Sequence, residues 1–240
     1  HHFHTNEEDI DPDCLSDLFS VGPASAARKT GVGRLVTRYQ AALMPLLFPL
    51  WALTLKWDGV MFLVRGGRRY ARDLLAMALH VTVWIAIPAH MIGVGPAVAC
   101  YFACNAIAGL YLGAVIPVNH LGTTYLESTH ELTFLEHQLA TSRNVRSLRP
   151  RIAGAVFDYL FIGLNRQIEH HLFPWVPVAR LPAAAEVTRA FCAERGLTYR
   201  ELAWTRAAVE VARHLARTGR HPGSASTWQP SGKLLVRGDE

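Results

Sequence analysis

Between Leu74 and Leu126 the chain has no aspartate, glutamate, lysine or arginine. That absence argues against a soluble helical pair, because soluble helices carry a polar stripe opposite their buried face. The stretch is long enough for two membrane passes of about 20 apolar residues each. Gly93-Val94-Gly95-Pro96 divides it into Leu74–Ile92 and Pro96–Val118, and both are expected to be transmembrane helices joined as a hairpin. Cysteine is scarce as well. The four present, Cys14, Cys100, Cys104 and Cys192, show neither a disulfide framework nor zinc spacing. Cys100 and Cys104 share a face of the second span and are expected to be small buried residues. A nucleotide loop is also missing: Gly31-Val32-Gly33 follows no strand and has no third glycine. No flavin, nicotinamide or nucleic-acid partner is expected.

The charges that are present sit at the borders of the apolar runs. Arg65, Arg68, Arg69 and Arg72 precede the first span, and Arg143, Arg146, Arg149 and Arg151 follow the second, while the connection between spans is uncharged. The positive-inside rule places both ends of the hairpin in the cytoplasm. A third apolar run, Tyr39–Leu55, is short and contains Pro45 and Pro49. It is expected to be interfacial or partly inserted, because a full span would carry Arg65–Arg72 to the far side. Gly109 and Gly113 form a small-xxx-small pair suited to close helix approach.

The chain has twelve histidines. In Gln167-Ile168-Glu169-His170-His171-Leu172-Phe173-Pro174, helical spacing projects Gln167, His170 and His171 from one face. Neighbouring imidazoles diverge enough to reach two metals, and imidazole suits iron. A second pair, His1-His2, opens the chain and runs on through Phe3-His4-Thr5-Asn6 to Asp11-Pro12-Asp13.

The octet resembles the third histidine box of membrane fatty acid desaturases, in the variant where glutamine replaces the first histidine. The opening is similar to the tail of that family's second box. The resemblance extends to about Arg217 and implies that His1, His2, His170 and His171 are iron ligands. In that family a further ligand lies outside the boxes, and His120, at the end of the second span, matches it. Asn119, His4 and Gln167 are expected to orient those ligands; an amide at Gln167 is a poorer iron ligand than imidazole. The family uses eight or more ligands, and the first box and the leading histidine of the second are expected upstream. The chain has no initiator methionine and begins inside a motif, so it is expected to be a fragment, by itself inactive and poor at holding iron.

The remaining histidines have weaker patterns. His80 and His90 fall within the first span; His90 lies too deep for the site, and His80 is expected to pack or to line an acyl channel. His130 and His137 sit among Glu127, Glu131 and Glu136. A single Glu127-x-x-His130 falls short of the paired motifs of soluble ferritin-like centres. His221-Pro222-Gly223 resembles a haem-binding motif without its second glycine or surrounding domain, and no haem is expected.

The organisation expected is all-α and membrane-integral: a transmembrane hairpin with a cytoplasmic helical cap carrying the boxes. Residues 1–217 form a partial desaturase domain. Within it, 1–38 is a cytoplasmic loop, 39–55 the interfacial segment, 74–92 and 96–118 the spans, and 119–217 the region with the third box. A polar helical stretch is expected over Glu127–Asn144 and a short apolar one over Phe157–Asn165. Pro174, Pro177 and Pro182 direct the chain along the surface, Thr198-x-x-Glu201 caps a helix to about Arg217, and 218–240 is a disordered tail.

The resemblance implies O2-dependent desaturation of a long-chain acyl substrate (acyl-lipid, acyl-CoA or acyl-carrier protein) at two irons, in a membrane taken to be the bacterial plasma membrane. Electrons must come from an external ferredoxin or cytochrome b5-type donor. A related hydroxylase or oxygenase acting on sphingolipid or carotenoid, and a remnant lacking a complete centre, are the alternatives.

Overall fold

The computed structural model describes residues 1–14, 19–126 and 130–223. Among them the chain is mostly helical and divides into two compact units. Met44–Ala114 forms one, and His1–Leu43 with the residues from Val115 onward forms the other.

After a turn-rich opening, α1 (Pro23–Arg28) and α2 (Gly31–Gly66) follow. The expected 1–38 loop is therefore partly helical. Gly31 does not interrupt it: with φ +52 it makes the turn from which α2 starts. The expected short segment 39–55 lies inside the 36-residue α2, which runs through Pro45 and Pro49. Each proline removes only one amide donor, a local loss that the flanking turns carry.

α3 (Ala71–Val81) and α4 (Ile87–Ile92) make up the first expected span, joined through a wider π-type turn at Thr82–Ala86. Thr82 bonds back to the Ala78 carbonyl at 2.9 Å there, and Pro88 removes an amide just beyond. Gly93, φ +90, turns the chain into α5 (Val94–Val115). Helix starts before Pro96 because proline is tolerated in a first turn. The runs Gly31–Ile92 and Val94–His120 are each long and apolar enough to cross a membrane.

Within Met44–Ala114, Gly109 and Gly113 allow α5 to approach α2. A Cβ on Gly109 would stand 2.1 Å from the Phe48 carbonyl oxygen, and one on Gly113 would meet the Phe48 ring. Lys56 bonds Asn105 at 2.6 Å, and His80 meets the Tyr101 hydroxyl at 3.2 Å, so His80 is a satisfied packing residue. Cys100 and Cys104 are exposed on α5 rather than buried.

In the other unit, α6 (Pro117–His120) comes first after α5 in sequence. Next come α7 (Phe134–Thr141), β1 (Asn144–Val145), α8 (Arg151–Phe161), α9 (Gln167–Leu172), α10 (Leu181–Glu194), β2 (Glu201–Leu202) and α11 (Trp204–Arg220). The helix expected over Glu127–Asn144 shortens to α7, opened by a reciprocal cap: the Thr133 amide donates to Glu136 at 2.9 Å and the Glu136 amide to Thr133 Oγ1 at 3.4 Å. Thr198 and Glu201 form no such cap. Glu201 pairs with Asn144 in the parallel β1–β2 ladder, and α11 starts beyond it. Pro182 lies in the first turn of α10 instead of keeping the chain extended. The core joins Leu139, Ile168, Leu172 and Cys192, packed with Leu135, Leu197 and Tyr199. The expected tail falls mostly outside the described residues, as does Glu127.

Candidate metal centre

The first fourteen residues are a chain of tight turns organised by one buried carboxylate. Asp11 accepts from His1 Nδ1–H at 2.9 Å and from the backbone amides of Asn6 at 2.8 Å and Asp13 at 2.9 Å. Asn6 takes a left-handed conformation, φ 58, which asparagine tolerates better than most residues. Its amide then donates to Thr123 Oγ1 at 2.8 Å, the Thr124 carbonyl at 3.1 Å and the His120 carbonyl at 3.3 Å. The Thr-Asn and Asp of the motif thus bind the opening segment to the chain that follows α6.

His120 ends α6 and is buried. Its Nδ1–H donates to the Thr141 carbonyl at 3.2 Å, so Nε2 holds the lone pair. The fully buried Arg143 secures this corner. It donates to the Val118 carbonyl at 2.5 Å, to the Leu121 carbonyl, and to Glu210 at 2.8 Å.

α9, six residues long, carries the third box. A helix this short has no stability of its own, and Asn144 supplies support. Its Oδ1 accepts from the Ile168 amide at 2.9 Å, and its Nδ2 donates to Glu169 at 2.8 Å, while Tyr199 donates to the other Glu169 oxygen at 3.0 Å. Burial raises the affinity of the Glu169 carboxyl for its proton, and these two hydrogen bonds oppose the shift. Glu169 therefore grips the core while the two histidines project elsewhere. The Nδ1–H of His171 is shared between Gln138 Oε1 at 2.9 Å and Thr5 Oγ1 at 3.0 Å.

The four box histidines and His120 converge. His1 lies 5.1 Å from His120 and 5.0 Å from His171 between ring centroids, and His120 lies 4.8 Å from His171. His2 stands 4.8 Å from His170 and 4.6 Å from His171. One ring nitrogen from each of His1, His120 and His171 falls within 4.8 Å of the other two. In all three rings Nδ1 is held by an oxygen, which leaves Nε2 as the free acceptor; metal-binding imidazoles are oriented in this way.

Gln167 fills the middle. Its amide nitrogen lies 2.8 Å from His120 Nε2 and 3.0 Å from His171 Nε2, and its buried Oε1 has no partner among the described residues. The amide hydrogens take the two lone pairs that a metal would take. Burial keeps His2, His170 and His171 short of their ordinary proton affinity, so the rings stay neutral, as ligation requires. A partly buried group of imidazoles with converging nitrogens, and an amide oxygen without a partner among the described residues, fits a metal centre and suits iron.

Two expected helpers sit differently. The Asn119 amide donates to the Val115 carbonyl at 3.2 Å, and the His4 ring turns to Glu7 at 3.2 Å. The residues that orient the site and lack a motif signal are Gln138, Thr141, Asn144 and Tyr199. Their only mark in the sequence is polarity inside otherwise packed segments.

The family model described as fatty acid desaturase matches residues 1–203. An acyl-lipid (9-3)-desaturase of Physcomitrium patens is 35% identical over 97 residues, covering 40% of this chain and 17% of that protein. An acyl-lipid (7-3)-desaturase of Rebecca salina is 28% identical over 248 residues, covering 93% and 52%. A Delta(6)-fatty-acid desaturase of Caenorhabditis elegans is 26% identical over 216 residues, covering 83% and 47%. The chain thus spans about half or less of the length of these relatives. No solved structure matches it.

Proposed function

The chain belongs to the fatty acid desaturase family, and from that premise we propose that its histidines hold two irons of a membrane enzyme that desaturates a long-chain fatty acyl substrate. The observation that carries this reading is the convergence of His1, His120 and His171 to within 4.8 Å, each with its other nitrogen already bonded. His1, His120 and His171 serve one part of the centre, and His2 with His170 the neighbouring part.

An unactivated methylene has no acidic proton, so side-chain acid–base chemistry cannot remove its hydrogens; iron held by these histidines would activate O2 for that oxidation. Overall, an acyl –CH2–CH2– unit, O2, two electrons and two protons give –CH=CH– and two waters. The protein's part is positional. Asp11, Thr141 and Gln138 fix three ring orientations, Gln167 covers the inner nitrogens, and burial excludes water that would intercept the oxidant. The two electrons are assigned to a ferredoxin or cytochrome b5-type donor.

Apolar stretches within Gly31–Ile92 and Val94–His120 lie in the bilayer, where exposed Leu46, Leu75, Met91 and Ile107 meet lipid instead of water. Arg146, Arg149 and Arg151, on the chain that follows Val94–His120, support a cytoplasmic side for the boxes.

The test is expression of the full-length protein with a ferredoxin donor, followed by iron determination and analysis of total acyl chains. The expected result is an added double bond, lost together with iron in His171→Ala. A hydroxylated product would assign the site to the related hydroxylases. Wild-type iron in His171→Ala would refute the centre.

A further inference from the structure

A second group of imidazoles surrounds the carboxylate of Glu7 and shares no residue with the box cluster. His4 and Glu7 come from the opening turns, His130 from the chain before α7 and His137 from α7 itself. Glu7 and His137 are buried and His130 half-buried. Glu7 Oε1 lies 3.2 Å from His4 Nδ1, 3.3 Å from His130 Nε2 and 3.7 Å from His137 Nδ1. The His130 and His137 rings stand 4.7 Å apart, edge to face.

His137 determines what this cluster can do. Its Nε2–H donates to the Thr5 carbonyl at 2.7 Å, so in the neutral ring Nδ1 carries the lone pair. That lone pair faces a carboxylate oxygen, another acceptor, in a buried place. Two buried acceptors facing each other are unfavourable unless a cation lies between them. At 3.7 Å they are too far apart to share a proton in a hydrogen bond. Metal bonds of about 2.0–2.2 Å in tetrahedral geometry separate neighbouring ligand atoms by about 3.3–3.5 Å. The separations from Glu7 Oε1 of 3.3 Å to His130 and 3.7 Å to His137 bracket that value.

We propose that His4, Glu7, His130 and His137 form a second metal site, taking a divalent cation of the zinc class in a structural role. Glu7, His130 and His137 already bring ligand atoms within 4.8 Å of one another, and the exposed His4 ring must turn toward them to complete a closed four-coordinate shell, which leaves no position for a substrate. Loading requires His4 and His130 to move a proton to their other nitrogen. For exposed His4 the shift is free; for His130 it costs the contact with the Leu132 amide at 3.2 Å. The benefit reaches the box through Thr5, whose carbonyl holds His137 and whose hydroxyl holds His171. A cation there pins α7 to the segment carrying His1 and His2.

The test is a zinc chloride titration of the full-length, chelator-stripped protein in detergent, with circular dichroism to verify folding. In a His171→Ala background, which disables the box, one zinc equivalent should remain. Glu7→Gln, nearly the same shape, and His130→Gln, half-buried, should each weaken it by about 100-fold or more, since loss of an outer-sphere partner alone costs 10–100-fold. In the otherwise wild-type protein Glu7→Gln should lose one equivalent relative to the parent. Folded variants that keep the parent's zinc affinity, or a box-disabled protein that takes up no zinc, would overturn the site.

Discussion

The hydroxyl of Thr5 lies 3.0 Å from Nδ1 of His171, across 166 residues of sequence. Gln138 completes the junction, accepting from the same ring nitrogen at 2.9 Å and donating to the His2 carbonyl at 2.8 Å. Gln138→Leu keeps the approximate size and removes both bonds. Iron affinity should fall about 10–100-fold with helix content unchanged; iron titration alongside circular dichroism checks both halves.

His120 contributes a nitrogen to the same cluster as His1 and His171. In the full-length enzyme His120→Ala should remove iron and activity together and leave membrane insertion intact. If the ring only packs, the change should cost at most a few kcal/mol of stability and retain iron. Metal analysis of the membrane fraction separates the two.

Removing Arg143 would leave the Val118 and Leu121 carbonyls without their donor and leave Glu210 with Arg200 alone, at 3.1 Å. Arg143→Met should cost on the order of 3 kcal/mol, seen as a lower Tm, and should loosen His120 along with it. An unchanged Tm would mean that water replaces the guanidinium at this corner.

His214 donates to the Val21 carbonyl at 2.6 Å and stacks on Tyr125 with centroids 5.0 Å apart. Burial lowers its proton affinity, against the pull of that carbonyl. Its folded pKa therefore lies below the unfolded value of about 6.5. The stability it contributes is present above that value and is lost as pH falls through the folded pKa. His214→Gln should flatten the decline in Tm between pH 7.5 and pH 5, and an unaltered decline would contradict the assignment.

Gly109 is under the backbone of Phe48, where a Cβ would stand at 2.1 Å, whereas a Cβ on Gly95 would meet nothing within 4 Å. Gly109→Val should destabilise the packing of α5 on α2 by about 1–3 kcal/mol. Gly95→Ala serves as the near-neutral control in the same unfolding assay.

The apolar helices and the box histidines were legible because each follows from a local pattern. Freedom from charge marks Leu74–Leu126, and the i, i+3, i+4 spacing marks Gln167, His170 and His171. What escaped depends on partners far away in sequence. Gln138 orients His171 only because α7 packs beside α9, and nothing around Gln138 announces that. Glu201 was misjudged for the same reason: its spacing from Thr198 suits a helix cap, but pairing with Asn144 draws it into a strand. Local propensity lost to tertiary context there. His4 and His137, one expected to serve the box and one set aside, meet at Glu7 because a left-handed Asn6 folds the opening segment back on itself.

Asn144 and Tyr199 hold a six-residue helix that has no independent stability. This sets an order of assembly. During synthesis His171 emerges well before Tyr199, so for a time the nascent chain has every box histidine described here without the geometry to use them. Iron offered at that stage meets loose imidazoles, and the site closes only once β2 has paired with β1. A polypeptide ending between the third box and Tyr199 would carry these histidines without the hydrogen bonds that order α9.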